Sequence, residues 1–327
     1  MKYHTNIDTI GIQIDASTIE EQNMIRFMLC RAIQEHNNVY IKWNKFLREE
    51  EILFNSSKIG SIKLGIIPLV DSYTKLRYLK YYIVLKFAGL KRYNSNLDNL
   101  SYSCLLTACK VLNTFNEPFK LTEIDICLDM HTDIQSTLAI CTRKLPRTEY
   151  HPLTTSFYKG NTYYLEKYNK YNYKNISQRS YLYNKAEKEG LSFPLTRFEL
   201  KLQKPFFFKE DFQFERIEKA IKSYTVMYFT NMNEKNMIID KYNSYSRVAI
   251  RDINKMGLEK YMIVSDISKI IDFIKILKTA NYLLHLSELF DIIKFNNKQL
   301  CMRKGKWRIV YVEYRLQSEI RQRRSYL

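Results

Sequence analysis

The stretch LTEIDICLDM, residues 121–130, sets Ile124, Ile126, Leu128 and Met130 at every second position and Glu123, Asp125, Cys127 and Asp129 between them. Side chains alternate across a strand, so one face is apolar and the other carries three carboxylates and a thiol. TRFELKLQ, residues 196–203, repeats the pattern, with Phe198, Leu200 and Leu202 against Arg197, Glu199 and Lys201. In RSYLYNK, residues 179–185, Leu182 alternates with Tyr181, Tyr183 and Lys185. Laid side by side in one sheet, these strands bury a shared apolar face and gather acids, tyrosines and a lysine on a single solvent-facing one.

Around these strands, NIDTIGIQID (6–15) alternates as an opening strand, and Ser17 and Thr18 open a helical run, STIEEQNMIRFMLCRAIQEHN. Two strand-like runs follow, IGSIKLGII and YYIVLKFAGL, then a helix from about Leu97 to Phe115. A short helix is expected near DIQSTLAICTRK and a further strand at TTSFYKG. The mixture, with tight connections, predicts an α+β fold: a largely antiparallel sheet with helices on one face. From about Pro205 the pattern changes to long helical runs, FERIEKAIKSYTVMYFT and SDISKIIDFIKILKTANYLLHLSELFDIIKF, before a strand-like WRIVYVEYR and a basic tail. The expected division is a sheet-built region at 1–205 that carries the motif strands and a mainly helical region at 206–327. The latter has a winged-helix DNA-binding or dimerisation role as its candidate uses.

The chain of 327 residues is 46% hydrophobic, enough for a substantial core, and carries 52 Lys and Arg against 34 Asp and Glu, a formal charge of +18. That balance points to a polyanionic partner, although an AT-rich coding bias also inflates lysine. The opening residues lack a secretory pattern and nothing reaches a membrane-spanning length, so a cytoplasmic protein without a membrane partner is expected. Six cysteines without a C-x-x-C pair, and five histidines without an H-x-H or H-E-x-x-H pair, argue against zinc ribbons, disulfide scaffolds and paired-histidine metal sites.

The polar face has two readings. Hard oxygen ligands suit Mg²⁺ or Mn²⁺ beside a phenol, where a cation offsets charge on a phosphodiester and favours ionisation of a tyrosine nucleophile. A half-buried sheet also pairs opposite charges across its strands with no chemistry attached.

The order LTEIDICLDMHTD, YLYNKAEKE, TRFELKLQ resembles the replication initiators of rolling-circle plasmids of staphylococci and their relatives, the Rep_trans family, over about residues 5–205. Filamentous-phage gene II nicking proteins and some conjugative relaxases carry similar strands. The resemblance implies a metal-dependent, site-specific DNA nickase and strand transferase, acting through a phosphotyrosine intermediate and rejoining the strand after synthesis. It implies Tyr183 as nucleophile, Lys185 beside the phosphate, Asp125, Asp129 and Glu199 as ligands of Mg²⁺ or Mn²⁺, and origin DNA, a host helicase, a DNA polymerase and a homodimer as partners. Two positions depart from the family pattern: Thr122 or Glu123 stands where an arginine is usual, and Tyr181 where a basic residue is common. Two phenols therefore compete for the nucleophile's role. In NTYYLEKYNKYNYKNISQR, residues 161–179, aromatics interleave with lysines, as suits unpaired bases and phosphates or a charged hairpin. Tyr163, Tyr164, Lys167, Tyr168, Lys170 and Arg179 here, with Arg323 and Arg324 in the tail, are the candidate DNA contacts. His131 and His151 are left out of the site. A conjugative relaxase and a non-catalytic origin-binding protein are the alternatives.

Overall fold

The structure is a computed structural model that describes residues 2–70, 77–88, 97–114, 119–141, 162–165, 177–207, 215–256 and 269–279. Eleven strands are found among them: β1 (Tyr3–Ala16), β2 (Val39–Asn44), β3 (Glu49–Phe54), β4 (Ser57–Val70), β5 (Arg77–Ala88), β6 (Phe119–Met130), β7 (Thr137–Cys141), β8 (Thr162–Tyr164), β9 (Gln178–Asn184), β10 (Thr196–Gln203) and β11 (Tyr224–Tyr228). The helices are α1 (Ile19–Gln34), α2 (Leu97–Thr114), α3 (Lys185–Glu189), α4 (Lys204–Phe207), α5 (Glu215–Lys222), α6 (Met232–Asn243), α7 (Arg247–Met256) and α8 (Phe273–Thr279). Nine strands form one sheet in the order β2-β3-β4-β5-β1-β6-β10-β9-β8, and β11 pairs with β7 in a second, two-stranded sheet. This is the expected α+β fold with a large antiparallel sheet.

The chain divides into two units. Of the described residues, those up to Gly11, from Lys86 to Asp98 and from Leu121 onward belong to one, and those within Ile12–Leu85 and Asn99–Lys120 to the other. In the first, β10 runs antiparallel to both β6 and β9, with Glu199 opposite Cys127 on one side and Tyr181 on the other. Thr5 Oγ1 donates to the Cys127 carbonyl at 2.9 Å, tying β1 to β6. Gly11 permits that approach: a Cβ there would stand 2.9 Å from Thr122 Oγ1 and 3.2 Å from Glu123 Cβ. The apolar residues of the three motif strands are buried as alternation requires, Ile124, Ile126, Leu128, Leu182, Phe198, Leu200 and Leu202 all at 0% exposure. Behind them Phe198 meets Tyr224 of β11 and Phe273 of α8 at ring distances of 5.4 and 5.9 Å.

In the second unit α1 is capped by Thr18, whose hydroxyl accepts from Glu21 N at 3.1 Å, as the Ser17–Thr18 start anticipates. Its Gln22 amide donates to the carbonyls of Gly65 and Tyr82 at 3.0 and 2.7 Å, fixing the helix to β4 and β5.

Two readings are corrected and one element is added. The hairpin of β2 and β3 was not anticipated, because EEEILF puts three glutamates at the start of a strand, where such residues are rare. The helix near DIQSTLAICTRK is only a 3₁₀ turn at Ile134–Ser136, and TLAIC is a strand buried on both faces. The helix expected across FERIEKAIKSYTVMYFT stops at Lys222, after which Tyr224–Tyr228 forms β11. Both strands read as continuous apolar runs, which periodicity does not separate from buried helix. The TTSFYKG strand, most of the long run after residue 265 and the tail lie outside the described residues. Among the described residues no helix is long and apolar enough to cross a membrane.

Candidate active site

The motif strands bring their polar residues onto one face. Register pairs Asp125 with Lys201, Cys127 with Glu199, Asp129 with Arg197, and Arg197 in turn with Tyr183. The face is not the open one anticipated. Asp125, Asp129, Arg197 and Tyr183 are 3%, 0%, 1% and 7% exposed, so nearly every charge on it answers another.

Asp129 faces Arg197 as a bidentate acceptor, at 2.6 Å from Nε and 2.9 Å from Nη2, with both partners buried. Arg197 Nη1 also stands 3.4 Å from Asp8 Oδ2. Asp125 takes Lys201 Nζ at 2.9 Å, and the same ammonium lies 2.5 Å from Glu123. Burial, reinforced by the charges of Glu199 and Glu123 and opposed by Lys201, pushes the Asp125 carboxyl up to about 7. Two of the three expected ligands are thus held by cations of β10.

Glu199 behaves differently. Its Oε2 accepts the Tyr183 hydroxyl at 2.9 Å. Its carboxylate also belongs, with Asp8 and Cys127, to a group whose ligand atoms all lie within 4.8 Å of one another. Asp8 and Cys127 therefore stand beside Glu199 where Asp125 and Asp129 were expected. Asp8 escaped notice because the even positions of β1 run on into Ile10, Ile12 and Ile14, all buried, so no polar stripe marks it.

The two phenols have different partners. Tyr181 accepts from Arg179, and burial, against that guanidinium, pushes it up to about 12. Tyr183 is pushed further up, by burial first and by the neighbouring Glu199 charge second. Arg179, expected to reach DNA, is only 6% exposed.

The segment after Tyr183 explains the YNK pattern. Asn184 is the N-cap of α3, accepting from Glu187 N at 3.1 Å, and Gly190 closes the helix in the left-handed region at φ 65°. Lys185 opens the helix buried and bonded to Glu189 Oε1 at 2.6 Å. Lys188, one turn on, places its Nζ 5.2 Å from the centre of the Tyr183 ring. Its signal in the sequence was the i, i+3 spacing from Lys185. His131 stacks on Phe193 and meets His4 edge-on, both at 5.4 Å. Tyr163 lies on β8, the strand beside β9, with Tyr164 next to it in the chain. Lys167, Tyr168, Lys170, Arg323, Arg324 and His151 lie outside the described residues.

No family model and no curated protein matches the chain. Among solved structures, one titled "Structure of Rolling Circle Replication Initiator Protein from Geobacillus stearothermophilus" is similar at 11% identity, covering 74% of this chain and 97% of that one, with a TM-score of 0.35. So loose a likeness carries no chemistry across.

Proposed function

We propose that the chain is a rolling-circle replication initiator that nicks one strand of origin DNA through Tyr183. The observation that carries this reading is the 2.9 Å hydrogen bond from the Tyr183 hydroxyl to Glu199, a carboxylate that also belongs to the Asp8, Cys127 and Glu199 group. The order of the three motifs supports it, as does the +18 charge.

In this reading Glu199 Oε2 takes the phenolic proton as the Tyr183 oxygen attacks the scissile phosphorus. A phosphorus–oxygen bond forms to the tyrosine and the bond to the 3′ oxygen breaks. The leaving oxygen collects a proton from solvent and becomes the primer for synthesis. Attack by a later 3′ hydroxyl reverses these bonds and reseals the strand without ATP. A divalent cation, when held by Asp8 and Glu199, supplies positive charge opposite the phosphodiester. Arg197 keeps Asp8 and Asp129 in place, and Lys188 adds positive charge at the Tyr183 ring. Because Tyr183 is 7% exposed, the reading requires the face to open when DNA binds. Host helicase and polymerase would follow at the nick.

The test is incubation of the protein with its supercoiled replicon and Mg²⁺, Mn²⁺ or Co²⁺, followed by denaturing electrophoresis. Open-circular DNA with protein on its 5′ end is expected from the wild type and from Tyr181→Phe. Tyr183→Phe should bind with nearly unchanged affinity and leave no adduct. An adduct that survives Tyr183→Phe and vanishes with Tyr181→Phe transfers the role to the other phenol.

A further inference from the structure

We propose that Asp8, Cys127 and Glu199, with Asp125 beside them, form a mixed oxygen and sulfur site selective for a thiophilic divalent cation of the Zn²⁺ and Co²⁺ class over Mg²⁺. The proposal deepens the reading above and rests on it for the site's purpose, though not for its existence.

The donor set is the first support. Mg²⁺ demands an octahedral shell of oxygens and keeps much of its water, whereas a thiolate is a soft donor that favours Zn²⁺ and its neighbours in the transition series. Here the middle of the group is Cys127, 0% exposed, between a carboxylate of β1 and one of β10. The ligand atoms lie within 4.8 Å of one another, and tetrahedral contacts of about 2.3 Å to sulfur and about 2.0 to 2.2 Å to oxygen would draw them closer together around a cation.

The second support is independent of that group. Two buried acceptor oxygens, Oδ1 of Asp125 and Oδ1 of Asn6, have no hydrogen-bond partner among the described residues. Asp125 is 3% exposed and Asn6 0%. Alternation places Asp125 on the Cys127 side of β6 and Asn6 on the Asp8 side of β1. Asp125 gives its other oxygen to Lys201 at 2.9 Å and stands two positions before Cys127 on β6. Buried acceptors are ordinarily satisfied, and a cation satisfies an oxygen that no donor reaches. On binding, the thiol releases its proton to solvent and the sulfur–metal bond replaces the sulfur–hydrogen bond.

The probe is the metal alone, added to the full chain without DNA. Co²⁺ should give a thiolate-to-cobalt charge-transfer band in the near ultraviolet, which Zn²⁺ bleaches and a large excess of Mg²⁺ does not. Cys127→Ser should abolish the band and weaken Co²⁺ binding by about tenfold or more, with the other cysteines intact. Glu199→Gln and Asp8→Asn, which keep the thiol, should retain a weaker band and guard against a folding defect in the serine variant. Cobalt that binds without the band, a band of equal strength in Cys127→Ser, or displacement by Mg²⁺ at comparable concentration overturns the proposal. Failure of the nickase reading shows separately, as absence of a Tyr183 adduct with any metal, and leaves this result untouched.

Discussion

Asp129 and Asp8 are both carboxylates in reach of Arg197, yet they answer to different demands. Asp129 is fully buried and spends both oxygens on the guanidinium, whereas the Asp8 side chain is 26% exposed and lies with Cys127 and Glu199. Breaking a buried pair by removing one partner strands the other charge and costs about 3–5 kcal/mol. Asp129→Ala is therefore expected to lower stability by that order in denaturant melts while leaving Co²⁺ affinity in the folded protein within about threefold. Asp8→Asn should reverse the ranking, with a small stability change and weaker metal binding. Equal loss of metal affinity in both would restore Asp129 as a direct ligand. Lys235 gives a second residue-scale expectation. It is 0% exposed, donates to the Gln135 carbonyl at 2.5 Å, and is pushed by burial from 10.5 down to about 8. The unfolded chain thus holds the proton more tightly than the folded one, so this group penalises folding fully below pH 8. The penalty is relieved as pH rises from about 8 to 10.5. Lys235→Met should be the more stable protein at pH 7 and lose that advantage across this window. A melting-temperature difference that stays constant from pH 7 to about 10.5 would contradict the account.

At the scale of elements, α3 shows how a short motif serves structure and chemistry together. Asn184 caps the helix that begins two residues after Tyr183, so the asparagine shapes the strand-to-helix turn that follows the phenol. Asn184→Ala should cost about 1 kcal/mol, and Asn184→Asp should restore it, because either side-chain oxygen accepts from Glu187 N. Nicking that falls with alanine and returns with aspartate, at matched folded fraction, is the expected readout. The strands flanking this turn were legible in the sequence because each buries one face, so Leu182, Phe198, Leu200 and Ile126 mark it at period two. Legibility failed where both faces are covered. TLAIC of β7 is buried at every position, as are Tyr224–Met227 of β11, leaving no alternation to distinguish strand from helix. The polar face was read in composition but not in environment. Alternation gives the side of a residue, whereas the pairing of Asp129 with Arg197 and Asp125 with Lys201 depends on register, which a single strand does not carry.

Across the molecule, the change of pattern near Pro205 does not coincide with an end to contacts. β7 pairs residue by residue with β11, from Thr137 opposite Tyr228 to Cys141 opposite Tyr224. Leu138 and Ile140 share an apolar cluster with Met227, Phe229, Ile238, Ile239 and Ile253. On the back of the motif strands, Phe198 rests on Tyr224 and Phe273, and the Gln178 amide donates to the Tyr224 hydroxyl at 2.9 Å. Residues after 205 thus supply the apolar backing for the strands whose other face holds Tyr183 and Glu199. A fragment of residues 1–205 would leave β7 without its partner and Phe198 uncovered, exposing a flat apolar edge of the kind that aggregates. It should therefore lack a cooperative thermal transition and cut neither duplex nor single-stranded origin DNA. Since a truncation can fail for unrelated reasons, the intact chain provides the sharper test. Phe198→Ala removes a fully buried ring from that backing and should destabilise by about 3–5 kcal/mol. Because the substitution lies on the face opposite Glu199, Co²⁺ affinity of the folded fraction should hold. A 1–205 fragment that melts cooperatively and cleaves single strands, together with a mild Phe198→Ala, would instead make the motif strands self-sufficient and give the later residues a task of their own.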